Sequence, residues 1–507
     1  MEQSNSKRIV KNTIFLYFRM LLIMFVAFYI SKITLKILGV EDYGIYQSVC
    51  GVVTFLAFIS NALGSGTSRF ITFEMGKENP KLRTLFSTVR LAHIVLGILI
   101  VIVGEVVGQW FIKYKLIIPQ ERISAAQFAF HFSMITTFFQ ITQVPYNAII
   151  IAYEKMNVYA YVSIAEAILK LSIVFLLNML AFDKLQVYAV LICSVTIIVI
   201  VIYKVYCRIN FQEVRSKLVF DKEMFKSVAN FSSWSLLSNS AISFANQGVT
   251  IVTNMFFAPS VVTVRSLGLQ INNIVNQFIG NFRTAVNPQI VKNYAAGDYN
   301  ASKKLTLNFT KYTFYLSYLV VLPLYLLVEP ALTIWLGQIP NGTIPFVKLA
   351  LVQSLCQVFD TSLYSAIYAK GQIKENALIS PIFGFIQLPI IYVLFKFGFS
   401  PIALGWVAVI CYGILGIVVK PLIVHFVVKY SLREIYHIIF WCLMVAVLSG
   451  VFPIFLAKIL NVNMVLGFFI VLFSSFISIG LVVFFIGIDK DMRRVLIRFV
   501  KQKFIRK

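Results

Sequence analysis

The sequence predicts an all-α polytopic membrane protein with about fourteen transmembrane helices. The 507-residue chain is 59% hydrophobic and only 13% charged, so it lacks the charged surface that a soluble protein of this length requires. Mostly apolar runs of roughly 20 or more residues, enough to cross a hydrocarbon core of about 30 Å, recur along the whole chain. Lys and Arg residues concentrate in alternate connectors between these runs, which is typical of a protein that crosses the membrane many times.

The predicted spans follow one another through short connectors. They cover residues 12–31, 45–64, 89–112, 125–151, 158–180, 185–206, 228–256, 260–287, 307–328, 344–368, 377–397, 401–424, 436–457 and 464–487. The connectors on the side with few Lys and Arg residues are too short to hold a folded domain.

Charge placement predicts the orientation. The formal net charge is +25, but the basic residues are spread over many connectors and form no single patch interleaved with aromatic residues, so a nucleic-acid partner is not predicted. Most of the 45 Lys and Arg residues fall on the side of the N-terminus. Because basic residues favour the cytoplasmic side, both termini are predicted to be cytoplasmic.

A faint internal repeat predicts the domain organisation. The segment "FEMGKENPKLRTLF" at 73–86 parallels "NYAAGDYNASKKLTL" at 293–307, about 220 residues later. Two six-helix lobes in the same orientation are therefore expected, with a substrate path between them. The predicted divisions are an N-lobe over 1–215, a C-lobe over 216–430, two further helices over 431–487 and a basic cytoplasmic tail over 488–507.

Polar residues form stripes on several predicted helices. In the eighth span Arg265, Asn272, Asn276 and Arg283 follow steps of 7, 4 and 7 residues, which place them within one narrow stripe of a helix. The fourth span carries a similar face, and so does the tenth. The face of the fourth span consists of Thr136, Gln140, Gln143 and Asn147, and that of the tenth span consists of Gln353, Gln357 and Asp360. Lipid cannot satisfy such groups, so they face either neighbouring helices or a hydrated cavity, and the two arginines favour the cavity.

Other charges within the spans have two interpretations each. Glu166 and Lys170 are four residues apart on one helix, so they either neutralise each other or couple transport to an ion. Glu105 and Asp360 have no partner nearby in sequence, so each is a candidate proton or sodium site or a partner for a cavity arginine. His131 is either a hydrogen-bonded packing residue or a proton carrier.

Arg19 lies in "FLYFRMLLIMF", the first strongly apolar run. It is about 10 Å along the helix from Asn12 at 1.5 Å per residue, so its side chain can either snorkel to the cytoplasmic interface or face a cavity near the cytoplasmic entrance. The arginine stripe of the eighth span favours the cavity.

No metal or cofactor site is predicted. Asp489 and Asp491 form the one Asp-x-Asp pattern, but they lie among basic residues of the tail and lack further ligands. The segment "GSGTSR" lacks the Gly-Lys-Ser/Thr ending of a phosphate-binding loop, so ATP hydrolysis is not predicted either. The six cysteines are isolated and almost all fall within predicted helices, which favours packing roles.

The chain resembles the polysaccharide-biosynthesis flippases of the O-antigen transporter type. The resemblance is carried by "LGVEDYGIYQSV", "SRFITFEMGKEN", "VPYNAIIIAYEKMNVYAYVSI" and "NPQIVKNYAAGDYN", and it covers about the first 430 residues. These flippases belong to the superfamily that includes the multidrug and toxin extruders and the lipid II flippase. Fourteen helices agree with the lipid-linked branch, since the drug extruders typically have twelve.

The resemblance implies an alternating-access transporter of the inner membrane. It would move undecaprenyl-pyrophosphate-linked oligosaccharide from the cytoplasmic to the periplasmic leaflet, among membrane lipids and alongside the glycan polymerase and ligase machinery. Arginine offers planar bidentate donors to a pyrophosphate, and amides hydrogen-bond sugars. Arg19, Arg265, Arg283, Asn272 and Asn276 are therefore the predicted substrate-binding residues.

The sequence leaves two alternatives to a lipid-linked oligosaccharide flippase. A drug or cation extruder of the same fold should favour acidic or apolar groups in its cavity. A membrane glycan polymerase or ligase should carry a long periplasmic loop with catalytic charges, which the short outer connectors do not supply.

Overall fold

The computed structural model describes most of the chain after the first predicted span. The described residues are 24–49, 63–64, 67–68, 70–71, 74–75, 80–153, 155–215, 219–230, 240, 247–372, 374–489 and 493–494. Within these residues the chain is helical throughout, joined by turns and short connectors, and no strand occurs.

The helices are numbered here in chain order. They are α1 (24–49), α2 (Leu82–Tyr114), α3 (Ile123–Ala152), α4 (Met156–Met179), α5 (Lys184–Asn210), α6 (222–230), α7 (Val249–Phe256), α8 (Pro259–Ala295), α9 (Tyr299–Leu326), α10 (Val328–Leu336), α11 (Thr343–Lys370), α12 (Lys374–Phe385), α13 (Gln387–Lys396), α14 (Ala403–Ile414), α15 (Lys420–Val428), α16 (Leu432–Ile459) and α17 (Val465–Val482). Two π-helical segments, Leu415–Val419 and Val483–Gly487, connect α14 to α15 and extend α17.

The described helices match the predicted spans closely. Seven are long and apolar enough to cross a membrane, or eight if α9 and α10, which are bent by 82° relative to each other, form one span. Helices α3, α8 and α11, of 30, 37 and 28 residues, are also long enough but carry the polar faces. The other three predicted spans, 12–31, 45–64 and 228–256, lie mostly outside the described residues.

The chain divides into two compact units. Unit 1 comprises Met1–Thr263 and Ile391–Pro401, and unit 2 comprises Val264–Ile390 and Ile402–Lys507. The division falls inside α8, whereas the sequence repeat places the lobe boundary near residue 215. The lobe boundary near residue 215 is inferred from the internal repeat and stays a prediction.

Small residues allow α2 to pack closely on α3 in unit 1. A Cβ added at Gly104 would lie 2.2 Å from Met134 Cε, and one added at Gly108 would lie 2.1 Å from Phe130 Cζ. Each glycine therefore accepts a large apolar side chain from the facing helix. Close approach of this kind drives helix association in membranes, where the hydrophobic effect between helices is small.

An ion-pair cluster lies at one end of unit 1. The Arg122 guanidinium donates from Nε and Nη2 to Asp42, at 2.8 and 2.5 Å, and from Nη1 to Asp183, at 2.5 Å. Burial opposes ionisation of Asp183, but hydrogen bonds from Arg122 and from the amides of Gln186 and Leu185 outweigh it and hold its pKa below the usual value. Burial raises the pKa of Asp42 despite the same arginine.

The three members of this cluster fall in segments that the sequence predicts to be outer connectors, between spans one and two, three and four, and five and six, although the structure places Asp42 within α1. At the opposite end of unit 1, the Tyr153 hydroxyl donates to Glu213 at 3.0 Å, and the Val219 amide donates to Ser87 at 2.6 Å. All four residues lie in connectors that are predicted to be inside. The alternating direction of the third to sixth predicted helices is therefore confirmed.

Unit 2 is built around the contacts of α9 with α11, α16 and α17. Phe314 of α9 stacks on Phe359 of α11, with ring centroids 5.2 Å apart. The Tyr318 hydroxyl donates to the Ala446 carbonyl of α16 at 2.7 Å. These aromatic and hydrogen-bonded contacts fix the faces of α9 and α11, and so they also fix where the polar face of α11 points.

Candidate functional site

A cavity of about 540 Å³ in unit 1 collects the polar residues of the fourth and fifth predicted spans. We call it the amide cavity. Its lining consists of Tyr46, Gly64, Gln140, Gln143, Val144, Asn147, Ala148, Ile151, Glu166, Lys170, Ile192, Thr196 and Val199. Helix α3 contributes the three amide side chains, α4 the two charges, and α5 Thr196.

Helical spacing explains why the amides share one wall. Gln140, Gln143 and Asn147 follow steps of three and four residues, so they lie on one face of α3, and Gln143 Nε2 donates to Asn147 Oδ1 at 3.4 Å. Thr136, which the spacing predicts to be on the same face, instead donates to the Phe132 carbonyl at 2.8 Å and is buried. The long amides therefore form the polar wall, while the short hydroxyl satisfies its own helix.

Glu166 and Lys170 form an ion pair at the wall of the amide cavity. The distance from Lys170 Nζ to Glu166 Oε1 is 2.6 Å, and 41% and 38% of the two side chains remain exposed. The cavity thus presents one cation, one anion and several amides to a ligand. Charged donors and amides are the groups that bind phosphate oxygens and sugar hydroxyls.

The polar stripe of the eighth span lies on α8 in unit 2. Asn272 Nδ2 donates to the Ala350 carbonyl at 3.1 Å and to Ser354 Oγ at 2.8 Å on α11. Asn276 Nδ2 donates to Gln357 Oε1 at 2.7 Å and to Asn272 Oδ1 at 2.9 Å. The two asparagines therefore join α8 to α11 through an amide network.

The arginines of the stripe lie beyond the two ends of this amide network. Arg265 is 5% exposed, and Arg283 is half-buried and close enough to Tyr364 of α11 to interact with it electrostatically. Arg19, the third arginine of the predicted cationic cavity, lies outside the described residues. That Arg19 shares a cavity with Arg265 and Arg283 stays a prediction.

Asp360 has a lysine partner that sequence reasoning missed. Lys420 Nζ lies 2.8 Å from Asp360 Oδ1, donates to Ser380 Oγ at 3.0 Å and to Asn376, and sits 5.6 Å from the Tyr364 ring centroid. Lys420 is 1% exposed. In the sequence, Lys420 is a single lysine in the apolar run that leads into α15. Its partner Asp360 is 60 positions earlier, so the spacing does not connect the two residues.

Glu105 also has a partner in another helix. His131 Nδ1 lies 2.8 Å from Glu105 Oε2, and Gln109 Nε2 donates to the same carboxylate oxygen at 3.3 Å. The His131 side chain is 53% exposed. Neither Glu105 nor His131 lines the amide cavity.

Among the residues that the structure describes, no group of three or more His, Cys, Asp or Glu side chains could hold a metal ion. Asp489 pairs with Lys311 of α9 at 3.1 Å, and its predicted companion Asp491 lies outside the described residues. The five described cysteines are free.

The helices and their packing are similar to those of several solved membrane transporters. The lipid II flippase MurJ, in an inward closed conformation, is similar over 92% of this chain and 98% of its own length, with a TM-score of 0.70 and 14% identity. An inward-facing multidrug resistance transporter of the MATE family is similar over 81% of this chain and 96% of its own, with a TM-score of 0.67 and 15% identity.

A MOP superfamily transporter from Pyrococcus furiosus, with a binding pocket of reverse polarity, is also similar, with a TM-score of 0.54, 14% identity and coverage of 81% and 96%. No protein-family model and no curated protein sequence matches the chain. At these identities the likeness shows the fold, and it confirms the prediction of an all-helical polytopic membrane protein.

Proposed function

We propose that this protein is a flippase for lipid-linked oligosaccharide. It moves undecaprenyl-pyrophosphate-bound glycan units from the cytoplasmic to the periplasmic leaflet of the inner membrane, for cell-surface polysaccharide synthesis such as that of O-antigen and lipopolysaccharide. The amide cavity carries the proposal, because three amides beside a lysine suit a ligand that combines sugar hydroxyls with negative phosphates.

The polar stripe of α8 supports the same ligand. The guanidinium groups of Arg265 and Arg283 offer planar bidentate donors to a pyrophosphate. Asn272 and Asn276 lie between them on the stripe and hold α8 against α11. In this proposal Arg19 adds a third cation near the cytoplasmic entrance, and the polymerase or ligase machinery receives the glycan.

Charge removal tests the proposal. In proteoliposomes, transport of undecaprenyl-pyrophosphate-linked oligosaccharide is measured as the fraction of glycan that reaches an enzyme on the opposite side. Arg19→Ala, Arg265→Ala, Arg283→Ala and Lys170→Gln should each lower the rate on the order of tenfold, since each removes a charge-assisted hydrogen bond to phosphate. Lys458→Gln, an exposed lysine of α16, is the matched control.

Normal transport in all four variants, at normal protein level, would contradict the proposal. The same assay without any protein gives the rate of spontaneous crossing, which is the baseline for each variant. Restoration of transport by Lys170→Arg would assign the effect to charge and not to packing.

A cation or drug antiporter is the second candidate, and Glu166 is the observation that favours it. A carboxylate at the cavity wall suits a cationic ligand. In that case Glu166→Gln should abolish drug resistance conferred by expression of the protein, whereas glycan transport should be absent from proteoliposomes. Drug resistance that follows expression, without glycan transport, would replace the first proposal with this one.

A further inference from the structure

A second cavity in unit 1 is apolar. It has a volume of about 550 Å³ and lies between the first half of α2 and the start of α6. Its lining includes Leu96, Leu99, Phe220, Phe225 and Val228. It shares no lining residue with the amide cavity. We call it the apolar cavity.

Hydrogen bonds to α2 fix the wall that faces this helix. The Val219 amide donates to Ser87 Oγ at 2.6 Å, and the Asp221 amide donates to Thr88 Oγ1 at 2.9 Å. Asp221 Oδ1 in turn accepts from the Met224 amide at 2.9 Å and so caps the start of α6. These bonds hold the residues on either side of the cap, Phe220 and Phe225, with ring centroids 5.5 Å apart.

The cavity opens toward the lipid-facing side of α2. Val95 and Leu99, which line it, are 58% and 57% exposed on a helix apolar enough to span the membrane. The space is many times larger than the roughly 30 Å³ that one water molecule occupies, but its apolar lining offers water few hydrogen-bond partners. A hydrocarbon chain that enters from the bilayer fills the space without this cost.

His93 supplies one polar group to the apolar cavity. The residue is 2% exposed, and its Nδ1 donates to the Val89 carbonyl at 2.7 Å, which leaves a lone pair on Nε2 of the neutral ring. Among the described residues nothing donates to this nitrogen. A buried acceptor without a partner is unfavourable, so a ligand that brings a hydroxyl to Nε2 gains a hydrogen bond that the protein alone does not make.

Basic residues flank the same cavity. Lys222 and Lys226 lie on the first turns of α6, on either side of the lining residue Phe225, and both are exposed. They belong to the connector predicted to be cytoplasmic, at the level where lipid phosphates lie. His93 is about 9 Å farther along α2 than Ser87, at 1.5 Å per residue, so it lies deeper than the phosphate level.

We propose that the apolar cavity binds a single-chain anionic phospholipid of the cytoplasmic leaflet that has a free glycerol hydroxyl. Its chain occupies the space between α2 and α6, its hydroxyl donates to His93 Nε2, and its phosphate lies near Lys222 and Lys226. The site is separate from the amide cavity, and the proposal does not depend on the identity of the transported substrate.

The test uses the full chain in phosphatidylcholine nanodiscs, with 1-oleoyl-lysophosphatidic acid as the probe and its 2-deoxy analogue, which lacks the hydroxyl, as the comparison. Native mass spectrometry measures the bound fraction. We expect one bound probe, and the analogue should bind about fivefold more weakly because one hydrogen bond is lost. His93→Phe should weaken binding of the probe by a similar factor, and it should not weaken binding of the analogue any further.

Two variants of α2 locate the site. Leu96→Trp fills the apolar cavity and should abolish binding, whereas Val106→Trp, at a residue that is 71% exposed and outside the lining, should bind as the unsubstituted protein does. If His93→Phe does not fold, the comparison of the two probes on the unsubstituted protein decides the role of the hydroxyl. Equal binding of both probes, or unchanged binding to Leu96→Trp, would overturn the proposal. Preferential binding of diacyl phosphatidylglycerol or undecaprenyl phosphate would overturn the choice of a single-chain lipid.

Discussion

At the scale of single residues, Lys420 is the least exposed charge that the structure describes in unit 2. Its ammonium lies against Asp360, Asn376 and Ser380 and is covered by the Tyr364 ring. A buried ion pair adds little net stability when both partners are present, because desolvation offsets the attraction. The loss of one partner is costly, because the other charge then stays buried without compensation.

Lys420→Met should therefore lower the free energy of unfolding by about 3 kcal/mol, since it leaves the Asp360 carboxylate unpaired. The thermal unfolding midpoint of the purified protein in detergent measures the effect. The double variant Lys420→Met with Asp360→Asn should recover part of the loss, because the unpaired charge is then removed as well. An unchanged midpoint in the single variant would show that the pair is not required.

At the scale of secondary structure, the contact between α2 and α3 depends on the absence of side chains at Gly104 and Gly108. Their neighbours Val103 and Val107 are each 54% exposed and face away from α3. One helix thus presents a narrow face of small residues to its partner and a broad apolar face to lipid. Gly104 and Gly108 are four residues apart, so they lie on the same face of the helix.

Gly108→Leu should destabilise unit 1 by about 1 to 3 kcal/mol, because a new side chain would overlap Phe130. Val107→Leu, one residue earlier on the exposed face, is the matched control and should be nearly neutral. Size-exclusion chromatography after a temperature series measures the fraction of each variant that stays folded. Equal profiles for the two variants would contradict the steric explanation.

At the scale of the whole molecule, hydropathy and charge predicted most of the fold. Apolar runs located the spans because each must cover the hydrocarbon thickness. The helical spacing of Thr136, Gln140, Gln143 and Asn147 predicted one polar face, and the three amides, but not Thr136, line the amide cavity. The partners of Glu105 and Asp360 could not be predicted. Contacts between helices depend on which helices are neighbours, and periodicity within one helix carries no information about that.

Charge placement also predicts which end of each unit faces the cytoplasm. In a variant without the six natural cysteines, Gln120→Cys should react with a membrane-impermeant maleimide in intact cells, because residue 120 lies in an outer connector. Gln372→Cys, in an inner connector, should react only after the cells are permeabilised. Both glutamines are exposed. The reverse pattern would invert the predicted orientation.

The short segment Ile391–Pro401 clusters with unit 1 although the chain on both sides of it belongs to unit 2. Its Phe395 ring packs on Phe257 with centroids 4.8 Å apart. During synthesis this aromatic surface stays uncovered until the ribosome has passed residue 401, which takes on the order of ten seconds after residue 257 has been added. The first unit of the chain is therefore completed late, and a truncated N-terminal product would keep an unprotected aromatic face.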